Sequence, residues 1–154
     1  MAKDSSAFVG QALVAILKRA PTVQALVDDR TYPPQRPPNV VWPFVGVGVP
    51  VVQPFVASGM DGSALTLAVH CYAETTGTGA DTIAGFDMAS AIARVVVAIL
   101  GGEEGAEVQL QGDDTDCPYP ATAYINWTGT QVVQSGSDAG AWHAFATFDI
   151  SVNS

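Results

Sequence analysis

Residues 63–74 read SALTLAVHCYAE. Leu65, Leu67, Val69, Cys71 and Ala73 alternate onto one face, and Thr66, His70, Tyr72 and Glu74 take the other. Period two with β-branched and aromatic content predicts a strand buried on one side only. Residues 142–152, WHAFATFDISV, repeat the pattern, with Ala144, Ala146, Phe148, Ile150 and Val152 on one face. Strands of this kind need an apolar layer laid against them.

That layer is legible on either side. Val9, Leu13, Ile16, Leu17 and Ala20 form one face of an opening helix. Asp4, Ser5 and Ser6 are placed to cap it, Lys18 and Arg19 suit its last turn, and Pro21 stops it. Val23 to Val27 add a further helical turn. Ala80 to Leu100 predicts the longest helix, with Thr78 as its cap and Gly101 and Gly102 as its end. Met88, Ile92, Val95, Val96 and Ile99 form its stripe, widened by Ile83, Ala89, Ala93 and Leu100; Asp87, Ser90 and Arg94 form a narrow polar stripe. A helix this apolar is expected to be covered on more than one side.

The remaining strands are Phe44–Gln53 with an edge or bend at Pro50, Ala106–Gln111, and Ala121–Val133. Asp28–Pro43 is a proline-rich connector or arm. Turns fall at Gly59–Ser63 and Ser135–Gly140. The fold expected is a single α+β domain over residues 1–154. It has a mostly antiparallel sheet of four to five strands, two helices on one face, and the order α-β-β-α-β-β-β.

Hydrophobic residues make up 48% and charged residues 14%, against about 25% charged in average soluble domains. The mean hydropathy is +0.25. Surplus apolar surface usually marks contacts between chains. The apolar runs are broken by Pro43, Pro50 and Arg94, too short for a membrane span of about 20 residues. The opening segment lacks a signal-peptide pattern, which points to synthesis in the cytoplasm. Six basic and fifteen acidic residues give −9, which excludes ordinary nucleic-acid binding through clustered cations. Cys71 and Cys117 make neither a disulfide framework nor a zinc site.

Chemistry is sparse. His70 and Cys71 are strand neighbours that point to opposite faces and cannot pair. His143 meets His70 only if their strands are adjacent, and two histidines make a weak metal case. Asp113, Asp114 and Asp116 lack the glycine and distal Glu of a calcium loop. The turn at Gly77 and Gly79 lacks a Lys, and Asp81 would repel phosphate. Asn126-Trp127-Thr128 matches a glycosylation acceptor only by its short pattern. No pair of titratable groups is nominated for acid–base work. The reading is a non-enzymatic structural subunit without catalytic, metal or cofactor residues.

Several segments then coincide in order: ALVAILKRAPTVQALVDDRTYPP (12–34), WPFVGVG (42–48), SALTLAVHCYAET (63–75), TIAGFDMASAIARVVVAIL (82–100) and WHAFATFDISV (142–152). Together they resemble the tail-completion, or tail terminator, proteins of siphophages and gene transfer agents. In that family a D-R-aliphatic-Tyr segment follows the first helix, here Asp29-Arg30-Thr31-Tyr32. A Pro-aromatic strand start follows, here Pro43-Phe44, and an L-T-L-x-V-H-x-aromatic strand, here Leu65 to Tyr72. The proline-rich loop is longer than the family pattern, and Gly112–Pro120 is an insert. The resemblance implies a homo-oligomeric ring, commonly of six, at the head-proximal end of the virion tail. The ring stops polymerisation of the tail tube protein and joins the tail to a head-side connector or stopper protein. DNA passes through without specific binding, no membrane is involved, and assembly takes place in the host cytoplasm. Neighbours would pack through the long helix and sheet edges, and the Gln53–Gly62 hairpin would touch the tube or an adjacent subunit. Candidate interface residues are Trp42, Phe44, Phe55, Met60, Asp87 and Arg94. The alternatives are another head–tail connector or tail-tube subunit, or a small-ligand site around His70 and Tyr72.

Overall fold

The computed structural model describes residues 5–57, 60–101, 105–113, 115–135 and 140–153, with the backbone alone described over 53–63. Expectations at Asp4, Gly59, Gly102, Asp114 and most of the Ser135–Gly140 turn lie outside these residues.

The two diagnostic stretches are neighbours. With α1 spanning Ser6–Arg19 and α2 Pro21–Val27, the strands are β1 Thr31–Tyr32, β2 Phe44–Val47, β3 Val51–Ala57, β4 Met60–Glu74, β5 Ala106–Gln109, β6 Thr122–Gln134 and β7 Ala141–Asn153. The third helix, α3, spans Gly85–Leu100. The sheet order is β1-β2-β4-β7-β6-β5, and β3 pairs with β4 alongside β2. β4 pairs antiparallel with β7 from Gly62↔Asn153 to Glu74↔Ala141. Among the described strand pairs only β1–β2 is parallel.

Leu65, Leu67, Val69, Cys71 and Ala73 are buried as the alternation requires, with Ala144, Ala146, Phe148, Ile150 and Val152 beside them. Val9, Leu13 and Leu17 of α1, Val23 and Val27 of α2, and Ala89, Ile92, Val96 and Leu100 of α3 complete the same core. All three helices therefore cover one face of the sheet, and the other face carries no helix and is covered in part by the proline-rich segment. None of the described helices is long and apolar enough to cross a membrane.

The architecture is α+β, but the detail differs from expectation. Among the described residues there are three α-helices, because Pro21 both ends α1 and opens α2 at its first position. Among the described residues there are seven strands rather than four or five. The strand expected over Phe44–Gln53 breaks at Gly48–Pro50 and resumes as β3. At the break the Gly48 N–H still bonds the Ala68 carbonyl at 2.8 Å. A Cβ on Gly48 would lie 2.7 Å from that oxygen, so the close approach requires glycine. The two-residue β1 sits inside the expected connector and is too short for any periodicity to reveal. A β-bulge between Trp127 and Gly129 shifts the later register of β6. Trp127 stays on the helix side but beyond the core, 49% exposed.

The long helix starts five residues later than expected. Gly79–Asp81 is a 3-10 turn, and Ile83 pairs with Thr76 in an isolated bridge, 47% exposed. Thr78 therefore does not cap α3. The Thr75 hydroxyl accepts the Gly85 N–H at 3.0 Å instead. Ser5 also gives no cap to α1; its hydroxyl meets the Tyr119 hydroxyl at 2.9 Å. The exposed loop after β5 touches α1. Gln11 Nε2 donates to Asp116 Oδ2 at 3.1 Å, and Gln11 Oε1 accepts the Asp116 N–H at 3.0 Å. Within the chain, α3 buries one stripe and leaves Phe86, Asp87 and Arg94 exposed.

Gly85 is the tightest joint between α3 and the sheet. A Cβ there would lie 2.5 Å from the Gly140 carbonyl and 2.9 Å from the Trp142 ring. Helix propensity alone favours alanine over glycine by about 1 kcal/mol. Gly85→Ala is nevertheless expected to lower stability in urea unfolding; an unchanged or raised midpoint would show that the joint is loose.

Candidate functional site

The open sheet face collects aromatic and histidine side chains at one end. Register alone builds the cluster. Phe44 on β2 lies opposite Tyr72 on β4, and Tyr72 lies opposite His143 on β7. Directly opposed side chains on one face are in contact range. The Phe44 and Tyr72 rings stack at 4.6 Å, and Tyr72 and His143 stack at 4.3 Å. His70 sits diagonally from His143, with Nδ1 and Nε2 2.7 Å apart. Phe145 closes the far side, 5.4 Å from His143.

The proline-rich segment roofs this stack. Trp42 meets Phe44 edge-on at 5.6 Å and Tyr72 at 5.8 Å. The Arg36 guanidinium lies 5.2 Å from both the Phe44 and Tyr72 rings, within cation–π range. Asp29-Arg30-Thr31-Tyr32 anchors the roof. Arg30 Nε donates to the Pro43 carbonyl at 2.8 Å, and its Nη1 pairs with Asp28 at 2.9 Å. Thr31 is wholly buried in β1, and Tyr32 packs 6.1 Å from Phe44. The motif closes the base of a loop; its residues carry structure.

Both histidines are neutral at pH 7. Burial, then His70, then Arg36 hold His143 down to about 4. Burial, then Arg36, lower His70. A neutral pair can share one bond, one ring donating and the other accepting. An added proton would sit beside a second imidazole and a guanidinium. Cys71, one residue on, points into the core, where burial pushes its thiol up. The sequence expectation that His70 and Cys71 cannot pair is met. Among the described residues no group of three or more His, Cys, Asp or Glu could hold a metal ion.

The cavity beside the stack holds about 220 Å³, lined by Pro33, Arg36, Gly46, Gly48, His70 and Tyr72 among others. Ligand pockets run from about 300 to 1,000 Å³, so the space is small for the ligand-binding alternative. A larger apolar groove of about 610 Å³ runs along the outer face of α1, past Ala7, Gly10, Val14, Pro33, Pro34 and Pro50.

The structure brings Trp42 and Phe44 together, but Phe44 is 4% exposed and forms the floor under Trp42. Asp87 and Arg94 lie exposed on α3, across the sheet from that patch. The backbone places residues 55 and 60 near the β3–β4 hairpin end; the side chains of Phe55 and Met60 lie outside the described atoms. Arg36 and the His70–His143 pair were missed as a cluster. The only signal was the shared pattern His-x-aromatic at 70–72 and 143–145, which acquires meaning once β4 and β7 are known to be neighbours.

Two tests follow. The Thr31 hydroxyl is buried with no hydrogen-bond partner, which costs about 1–3 kcal/mol. Thr31→Val, restoring the aliphatic residue of the motif, is expected to raise stability by about 1 kcal/mol in urea unfolding; a loss would mean that the hydroxyl is satisfied. The second test uses pH. The folded chain holds His143 at about 4, below its ordinary 6.5. The unfolded state therefore binds more protons between those values, and the contribution is complete above 6.5 and lost as pH falls towards 4. The melting temperature should fall from pH 7 to 5, and less steeply in His143→Phe; equal slopes would contradict the assignment.

A family model described as tail completion protein gp17 matches residues 11–153. No curated protein matches the sequence. Among solved structures, a chain of the virion of a native gene transfer agent particle is similar. It aligns with a TM-score of 0.70 at 16% identity, over 95% of each chain, a likeness of fold. The family match covers the core strands, the Arg30 anchor and both histidine strands, and on that extent the chain belongs to the tail completion protein gp17 family.

Proposed function

We propose that this chain forms a ring, commonly of six copies, that caps the head-proximal end of the phage tail tube. The ring stops tube polymerisation and presents a surface to the head-side connector. The observation that carries this reading is the tail-completion family match over residues 11–153. The fold shared with a chain of a gene transfer agent virion, over 95% of both, supports it.

The surface chemistry agrees. Val41, Val49, Val51, Phe86 and Trp127 are large apolar side chains left exposed, and such surface is what assembly covers. Each copy carries −9, and an acidic passage lets DNA through without retaining it. The role needs no catalysis: the neutral His70–His143 pair stiffens the open face. The exposed face of α3 with Asp87 and Arg94, the Trp42 roof, and the hairpin with Phe55 and Met60 are the contacts offered to neighbours and to the tube.

Particles made without this chain test the role. Electron microscopy is expected to show overlong tubes unattached to heads. Absent tubes would overturn the capping role in favour of a tube subunit, and normal tails would remove the chain from tail assembly.

A further inference from the structure

The two margins of the sheet are unlike the rest of the chain. On one side β3 pairs with β4, and among the described residues nothing pairs with its outer edge. On the other side β5 covers β6 only from Thr122 to Ile125. The outer edge of β6 from Asn126 to Gln134 is left open among the described residues.

Natural proteins protect open edges with charged residues, prolines or very short strands. Here the protection is thin. No Asp, Glu, Lys or Arg occurs from Val40 to Met60, nor from Cys117 to Ser137. Both open edges fall in these two stretches. The charges that give the chain its −9 lie elsewhere. Val51 at the start of β3 is 65% exposed. Pro54 removes one donor from β3 and leaves the others.

Strand sense decides what each edge fits. β3, β4, β7 and β6 are successive antiparallel neighbours, so β3 and β6 run in opposite directions. A copy related by rotation about an axis near the strand direction keeps its strand sense. Its β3 then meets this β6 antiparallel, the more stable of the two pairings. Lengths also suit: β3 has seven residues, about 23 Å at 3.3 Å per residue, which the open stretch of β6 can accommodate.

We infer that the Asn126–Gln134 edge of β6 pairs antiparallel with the Val51–Ala57 edge of β3 in a second copy, continuing one sheet from subunit to subunit. The contact uses two different surfaces, so it is head-to-tail, and such contacts close into rings when the rotation permits. Pairing of β6 with another β6 would close a two-fold dimer and leave both β3 edges open. The inference rests on the proposed ring and specifies its joint.

The test places a photo-crosslinking benzoylphenylalanine at Gln131, an exposed position, in chains assembled on tails. Mass spectrometry then maps the link. A link from Gln131 to residues 51–57 of another copy is expected. A second variant, Thr130→Lys with Gln131→Lys, is expected to keep the wild-type melting temperature and to lose the ring. Links that land on another segment of a copy, or a Lys variant that still forms rings, overturn the edge pairing and leave the ring standing. A chain found only as single copies on tails overturns the ring and the pairing with it.

Discussion

The pairing of β4 with β7 is the constraint on which the molecule depends. It runs from Gly62↔Asn153 to Glu74↔Ala141, long enough to serve two purposes at once. Its inner side, from Leu65 to Ala73 and from Ala144 to Val152, forms the floor of the core that holds all three helices. Its outer side sets Tyr72 on His143 and His70 against His143. A slip of one residue would exchange the two faces, burying histidines and exposing Leu67 and Phe148. The register is therefore held by the hydrophobic pattern from both strands together.

The regular parts of the fold were legible because they repeat. Alternation gave β4 and β7, and the spacing of Val9, Leu13 and Leu17 gave α1. Elements decided by single contacts were not legible. The bend of the valine-rich segment at Pro50 was expected, but not that the backbone at Gly48 comes too close to Ala68 for a side chain. Thr75 caps α3 from across a loop, which local capping patterns cannot show. β1 is two residues long and owes its place to Thr31 opposite Val45 and to the Val45 N–H bonding the Arg30 carbonyl. The histidine pair needs the β4–β7 adjacency, a long-range fact. Trp42 and Phe44 were both legible as candidate interface residues, but their division into a half-buried roof and a buried floor depends on Tyr72 beneath them.

The motif residues that carry the resemblance now have physical roles. Arg30 closes the proline-rich loop by gripping the Pro43 carbonyl, and Tyr32 packs against Phe44. The His70 and Tyr72 strand supplies the middle of the outer stack. These residues fix a surface whose shape is set by rings and whose charge is low, within a chain that is acidic elsewhere. In the proposed ring, such rigidity would keep the faces that meet other copies and the tube in fixed shape.

The proposed role is one ring of this chain at the head-proximal end of the tail, joined through its sheet margins. Electron cryo-microscopy of that end in intact particles measures it directly. A single closed ring of this chain on the last tube layer is expected. Its subunits lie head to tail, with the helices of every copy on the same side of the sheet. Density for the chain elsewhere on the particle, or as separate copies that touch only the tube, would contradict it.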